Sequence, residues 1–477
     1  MGPIHGNWTR QGWLIVTAVY TELRLPPGPR GRPLLGSTFD IARAPLETVL
    51  AGWRQYGDVV RYRVGNRYFC VVSHPDLAQE VLQNTKDRFL KPYRRDGKPV
   101  GLQMLLGNGL LTNADHDSWL RQRRMMQPMF HRRQVGVMAE TMTAMGERML
   151  ARWEQEVGVG GEVDLSFEMM RVTMDIITRT MFSAEVGGDA GKIGPAIVTA
   201  AEFASQHARH PFHAPLSWPT PANRRFREAM ALVTDLVEGL IDERRAHPEV
   251  HGDLLDMLLT ARDEETGEGM TDKQLQNEVA TIFAAGHETT ANALTWTWYA
   301  LSRNPHVLRR LQEEVDEVLG GRVPTVADVP ALSYTERVFQ EALRLYPPAP
   351  LVPRVVPVDE TLGGYKMPAR TLLTVSILNI HRHPDFWPDP ETFDPDRFTP
   401  ENSHGRHRFA FMPFGGGPRL CIGNNFAMME GTLLLALMAQ HYELRLKPGH
   451  PVAFKFAVTL RPRYGMRMTL HPRRPAS

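Results

Sequence analysis

Apolar residues recur at spacings of three and four from about residue 115 to residue 345, a period that predicts one helix after another. Three of these helices carry start signals. Thr271-x-x-Gln274 and Ser333-x-x-Glu336 read as capping boxes, and Asn304-Pro305 puts proline in a first helical turn. The helix after Thr271 is expected to run to about Ser302, roughly 45 Å at the standard rise. Its Ile282, Phe283, Leu294 and Trp298 suit a buried central element. Strand-like runs lie outside that region. β-Branched and aromatic residues between 57 and 73 predict a hairpin turning at Gly65-Asn66, and strand character returns at Thr371 to Ile380 and Phe454 to Leu460. A last helix is expected from Asn424 to about His441, with Ile422, Phe426, Met429, Leu433 and Leu437 on one stripe. The expected class is mainly α with small β-sheets.

Composition narrows the partners. The 477 residues, 42% hydrophobic and 23% charged, are ordinary for a globular chain. Length alone suggests two or three domains, but Pro26-Pro27-Gly28-Pro29, Pro347-Pro348 and Gly415-Gly416-Gly417 are turns rather than linkers, and no repeat is present. One large domain is expected. A net charge of +2 gives no reason to expect nucleic acid. Two distant cysteines argue against a disulfide framework and suit the reducing cytoplasm. Near the start, the apolar run from Trp13 to Tyr20 falls far short of the ~20 residues a membrane span needs. Residues 1–25 are expected to be a short segment that does not cross a membrane, although Trp8 and Trp13 leave an interfacial touch open.

Candidate chemistry centres on Phe414-Gly415-Gly416-Gly417-Pro418-Arg419-Leu420-Cys421-Ile422-Gly423. A glycine-rich loop delivers one cysteine to a helix start, where the dipole and free N–H groups are expected to lower its pKa and favour the metal-binding thiolate. Glycines let backbone lie against a flat group, and Arg419 is placed to meet an anion beside it. Haem fits these features. A buried structural thiol and a nucleophilic cysteine are the other readings. Zinc is excluded, because only Cys70 and Cys421 exist and no paired-ligand spacing occurs. A second irregularity breaks the long helix at Ala285-Gly286-His287-Glu288-Thr289-Thr290. Glycine and threonine are weak helix formers, and a threonine hydroxyl competes for the carbonyl one turn back. Either the helix tolerates a few polar residues there, or small residues leave room over a flat cofactor while hydroxyl and acid handle protons.

The decamer resembles the haem loop of the cytochrome P450 family, Phe-x-x-Gly-x-Arg-x-Cys-x-Gly, at every fixed position, and Ala285 to Thr290 resembles its oxygen-activation motif. Further motifs follow the family's order across most of the chain. The resemblance implies the cytochrome P450 fold over residues 26–477. It implies haem b (iron protoporphyrin IX) with Cys421 as axial ligand, a role that cysteine thiolate plays in these enzymes. Ala285, Gly286, Phe414 and Gly415 are then cofactor contacts. Thr289 hydrogen-bonds the bound oxygen, and Glu288 relays protons to it. Glu341, Arg344 and Arg397 resemble the family's buried ion network, with Asp396 standing where glutamate is commonest. Trp119-x-x-x-Arg123, Arg354 and Arg419 match positions that meet the haem propionates.

The implied reaction is O₂-dependent hydroxylation or epoxidation of a lipophilic substrate such as a fatty acid or terpenoid. Electrons from NAD(P)H come through a separate ferredoxin or flavodoxin and its reductase, since only about 55 residues follow Cys421. Arg121, Arg123, Arg124, Arg132, Arg133, Arg406 and Arg408 are a candidate docking face, or simply a solvated one. Leu105, Leu106, Phe283, Leu351, Val352 and Val458 are expected to line the pocket, with Arg67, Arg94, Arg95 or Lys98 as candidates for a carboxylate at its mouth. A monomer in the cytoplasm is expected. An H₂O₂-dependent peroxygenase, a non-enzymatic haem-thiolate sensor and an isomerase are the alternatives. The Glu288-Thr289 pair argues against the first two.

Overall fold

The computed structural model describes residues 23–93, 97–184, 190–209, 214–247 and 251–473. Trp8, Trp13, Arg94 and Arg95 lie outside these. Helices dominate, with four small sheets at the margins. The central helix, Asp272–Arg303, starts as its sequence predicts: the Thr271 hydroxyl accepts the Gln274 N–H at 3.2 Å. Its buried Thr281, Thr295 and Thr297 each return their hydroxyl to the carbonyl four residues earlier, at 2.7 Å. These three hydroxyls therefore sit inside the protein without a stranded donor.

The second predicted capping box is not formed. Helix Ser333–Leu345 begins without a side-chain cap of its own. Glu314, from helix Pro305–Leu319, instead accepts the N–H groups of Tyr334 and Thr335 at 2.6 and 2.8 Å. A carboxylate at a helix N-terminus also meets the dipole favourably, so the long-range cap displaces the local one.

The cysteine-proximal helix, Asn424–His441, is buried on nearly every side rather than along one stripe. Leu433, Leu434, Leu435 and Leu437 are all fully enclosed. It packs against helices Ala139–Glu156, Pro305–Leu319, Ser333–Leu345 and the central helix, so an all-round apolar surface is what its position requires. Ile422 precedes the helix and is half-buried.

The largest sheet orders Val59–Val64, Arg67–Val72, Leu372–Ser376 and Leu351–Val355. Its first two strands are the predicted hairpin, paired Val59 with Val72 through Val64 with Arg67. The run predicted as a strand to Ile380 ends at Ser376, and Ile377–Ile380 is a helical turn. The run from Phe454 splits into Phe454–Phe456 and Leu460–Pro462, which pair antiparallel. Residues 457–459 are left as the turn.

Glu341 and Arg344 are fully buried on one face of helix Ser333–Leu345 and bond twice, both at 2.7 Å. Arg344 also donates to the carbonyls of His381, Pro390 and Thr392. Arg397 brings its Nε to 3.5 Å from Glu341 and donates to the Pro388 and Asp389 carbonyls. Asp396 turns outward, forming a two-point pair with Arg310 at 2.8 and 3.1 Å. Among the described residues, no helix is long and apolar enough to cross a membrane.

Candidate active site

The glycine loop turns at Gly415 and Gly417, with φ of +75° and +69°, conformations that side chains disfavour. A Cβ on Gly417 would also overlap the Leu82 carbonyl. This turn lets the Cys421 N–H reach the Phe414 carbonyl at 3.0 Å and presents the sulfur inward. Cys421 has open surface yet is surrounded by protein in every direction, as a side chain facing an internal hollow must be. Helix Asn424–His441 starts three residues later, so its dipole acts on the sulfur only weakly. Burial pushes the Cys421 thiol up, against the Gly423 N–H and the Arg123 charge, which favour the thiolate. The expected lowering is overturned for the protein alone: desolvation outweighs the helix. Iron at the sulfur would reverse that balance, since a coordinated thiol is deprotonated.

A group of mutually repelling cations includes Arg419 of the same loop. Arg354 is 2% exposed, and among the described residues its side chain bonds only the neighbouring Pro353 carbonyl, at 2.9 Å. Arg419 donates to the Asn113 carbonyl at 3.0 Å and stacks 4.3 Å over the Trp119 ring. The Nε of each has no partner. Burial lowers both guanidinium pKa values to about 10. Lys91 joins them, held in place by paired backbone bonds between Leu90 and Val355. Burial, then Arg354 and Arg419, pull its pKa well below the lysine range. Among the described residues, no carboxylate pairs with any of the three. Such a cluster fits two propionate groups, and its Arg419 stands two residues before Cys421 in the glycine loop. Nothing in the sequence marks Lys91, a lone lysine in Phe89-Leu90-Lys91-Pro92. Arg123 stands apart: it donates to the Leu420 carbonyl at 2.7 Å, and its nearest ionisable neighbour is Cys421.

The central helix divides by phase. Phe283 stacks on Phe182 at 4.9 Å, a Cβ on Gly286 would lie 2.6 Å from Ile177 Cδ1, and the His287 carbonyl accepts from Thr173. Positions 283, 286 and 287 thus share the face against helix Leu165–Phe182. Phe283 is core rather than pocket lining, and the missing side chain of Gly286 serves a helix crossing rather than a cofactor. Ala285 and Thr289 are half-open on another face, and the Thr289 hydroxyl bonds the Ala285 carbonyl at 2.8 Å. Glu288 is 6% exposed and accepts from the Thr459 hydroxyl. Burial raises its pKa, against that bond. Its partner belongs to the 457–459 turn, which sequence marks only as a pocket edge.

Leu105 and Leu106, in the short helix Gln103–Leu106, are buried in the main core, with Leu102 and Met104 packed half-open against it. Leu351, Val352 and Val458 are half-buried, as pocket lining requires. Two further acids are fully enclosed. Glu278 accepts the Leu110 N–H at 2.8 Å with its pKa raised to about 7, and Glu430, beside Thr290, is raised to about 8, both by burial. The basic face is partly spent within the molecule. Arg124 pairs with Asp263 and Glu265, Arg121 pairs with Glu268, and Arg406 stacks on Trp387.

A mainly helical fold with one inward cysteine, a ring of unmatched cations and an acid–alcohol step in its longest helix defines a thiolate-haem type of protein. The cytochrome P450 family model matches residues 26–467, and the chain belongs to that family as a P450 monooxygenase. It is 40% identical to "Cyclooctatin synthase" of Streptomyces melanosporofaciens, over 94% of each chain. It is 35% identical to "Pentalenene oxygenase" of Streptomyces avermitilis, over 94% of this chain and 97% of that one. The crystal structure of the cytochrome P450DA heme domain shares 30% identity with a TM-score of 0.85, covering 95% of this chain and 99% of that one. The family implies haem and O₂.

Proposed function

We propose that this chain hydroxylates or epoxidises a lipophilic, cyclic terpenoid-like substrate in the cytoplasm. It draws electrons from NAD(P)H through a ferredoxin or flavodoxin and its reductase. The observation that supports this reading is the cluster of Lys91, Arg354 and Arg419, without a carboxylate partner among the described residues, whose Arg419 stands two residues before Cys421. The names of the Streptomyces relatives, among them "Cyclooctat-9-en-7-ol 5-monooxygenase" at 35% identity, support a cyclic unsaturated skeleton over a fatty acid. The half-buried apolar side chains of Leu351, Val352 and Val458 support a lipophilic ligand.

When bound, the haem supplies reductive activation of O₂. Cys421 would hold it from one side, while Lys91, Arg354 and Arg419 balance its propionates. Thr289, half-open on the central helix, anchors its hydroxyl on the Ala285 carbonyl, where it would be available to hold or pass a proton. Glu288 is the candidate proton relay: burial raises its pKa, so its carboxyl holds a proton more readily than an exposed acid does. The apolar pocket edge excludes water and orients the C–H or C=C bond.

Three measurements test the reading. The reduced protein under carbon monoxide should show the red-shifted band of thiolate ligation, lost in Cys421→Ala. Turnover with NAD(P)H, ferredoxin and ferredoxin reductase should exceed turnover with H₂O₂ alone, and Thr289→Ala should divert electrons to peroxide. Equal rates with H₂O₂ alone would make the protein a peroxygenase. Soret titration with cyclic terpene hydrocarbons and alcohols, set against fatty acids, should favour the former.

A further inference from the structure

Glu288 has no cation within ion-pairing distance among the described residues, and its carboxyl is met by the Thr459 hydroxyl. Thr459 is itself buried at 8% exposure and receives the Asn292 side-chain amide at 3.5 Å, one helical turn beyond Glu288. The Asn292–Thr459–Glu288 chain thus leaves the central helix, crosses to the terminal hairpin and returns. That hairpin is fastened on three sides. Trp296 Nε1 donates to the Leu460 carbonyl at 3.2 Å, and the Leu460 N–H donates to the Pro348 carbonyl at 2.9 Å. On the third side, helix Ala190–Arg209 reaches it through Ser205, which bonds the Ala457 carbonyl, and through Glu202, which pairs with Lys455 and Arg461.

We propose that Thr459 is a positioning residue for proton delivery: it holds the Glu288 carboxyl toward the hairpin, and movement of the hairpin sets when that acid turns to the hollow. The proposal rests on the monooxygenase reading and deepens it. A donor that is buried, carries no ion pair and is held by one alcohol is restrained by a single bond that a small shift can break. An ion-paired acid would need far more. The half-open Val458 adjoins Thr459 in the same turn, so a substrate against Val458 bears on the restraint directly. Tightening or release of helix Ala190–Arg209 bears on it through Glu202 and Ser205.

The test uses the haem-loaded protein with Thr459→Val, which keeps the shape and removes the hydroxyl, and Thr459→Ser, which restores it. In the resting state, before any reductant is added, the Glu288 carboxyl infrared band is identified by its absence in Glu288→Gln. It should shift in Thr459→Val and return in Thr459→Ser. In turnover, product formed per NAD(P)H consumed should change about fivefold in Thr459→Val, the worth of one hydrogen bond, and recover in Thr459→Ser. An unshifted band, or coupling equal to the parent, overturns the proposal. Should Thr459→Val not fold, Asn292→Leu loosens the other end of the chain and should move the band in the same direction; an unmoved band there counts against the proposal equally. A parent protein that forms no product, or lacks the thiolate spectrum, overturns the monooxygenase reading instead.

Discussion

Two groups of buried charge lie in this molecule, and they are built on opposite terms. Glu341, Arg344 and Arg397 satisfy one another: Arg344 makes five hydrogen bonds, to Glu341 and to three carbonyls of the 381–392 segment. Lys91, Arg354 and Arg419 repel one another and find no acid among the described residues; Arg354 bonds a carbonyl, and Arg419 a carbonyl and a ring face. Burying charge is costly unless it is paired. The first group is therefore structural and complete in itself. The second is complete only with an added anion, and that difference separates a scaffold from a binding site without appeal to any motif.

The sharpest way to break the comparison is to remove one cation from each group. Arg344→Met strands a buried carboxylate and should cost about 3–5 kcal/mol in chemical denaturation, with or without haem. Arg354→Met should act with opposite signs. In the haem-free protein it relieves an uncompensated charge, so stability should hold or rise by about 1 kcal/mol or more, whereas the haem-loaded protein should lose its cofactor faster. If Arg354→Met destabilises the haem-free form as Arg344→Met does, the two groups are not distinct.

Titration sharpens the contrast at smaller amplitude. Lys91 has a folded pKa below its unfolded value, so between the two the unfolded chain binds more protons and stability rises with pH. The penalty is whole at low pH and fades as pH approaches 10.5, the ordinary lysine value. Lys91→Met should therefore stabilise the haem-free protein most at the acid end of its stable range, and the gain should shrink to nothing toward pH 10.5 in paired denaturation curves. The smallest effect falls on an acid outside both groups. Glu430, raised from 4.5 to about 8, is neutral at pH 7 in the folded state, so its contribution to stability falls as pH rises through that window. Glu430→Gln should cost under about 1 kcal/mol at pH 7 and flatten that part of the curve.

Local signals carried the elements well. The hairpin at Gly65-Asn66, the start of the central helix at Thr271 and the pairing of Glu341 with Arg344 all depend on neighbours within a few residues, where spacing speaks directly. Sequence fails where a distant partner decides. Glu314 displaces Ser333 as a cap, Ile177 explains Gly286, and Phe182 draws Phe283 out of the pocket. Thr459, 171 positions from Glu288, becomes its hydrogen-bond partner. The Cys421 thiol fails differently. Its helix lies where expected, but the depth of burial, which no short window reports, dominates its acidity.

The hairpin that carries Thr459 also bears on redesign. Turn residues 457–459 invite randomisation by anyone seeking new selectivity, since they border the half-open apolar edge at Val458. Yet Thr459 holds the acid, the Ala457 carbonyl accepts from Ser205, and the strands on either side answer to Glu202 through Lys455 and Arg461. Libraries there should yield clones that bind a new compound well while wasting reductant, and screens scored on affinity alone would select them.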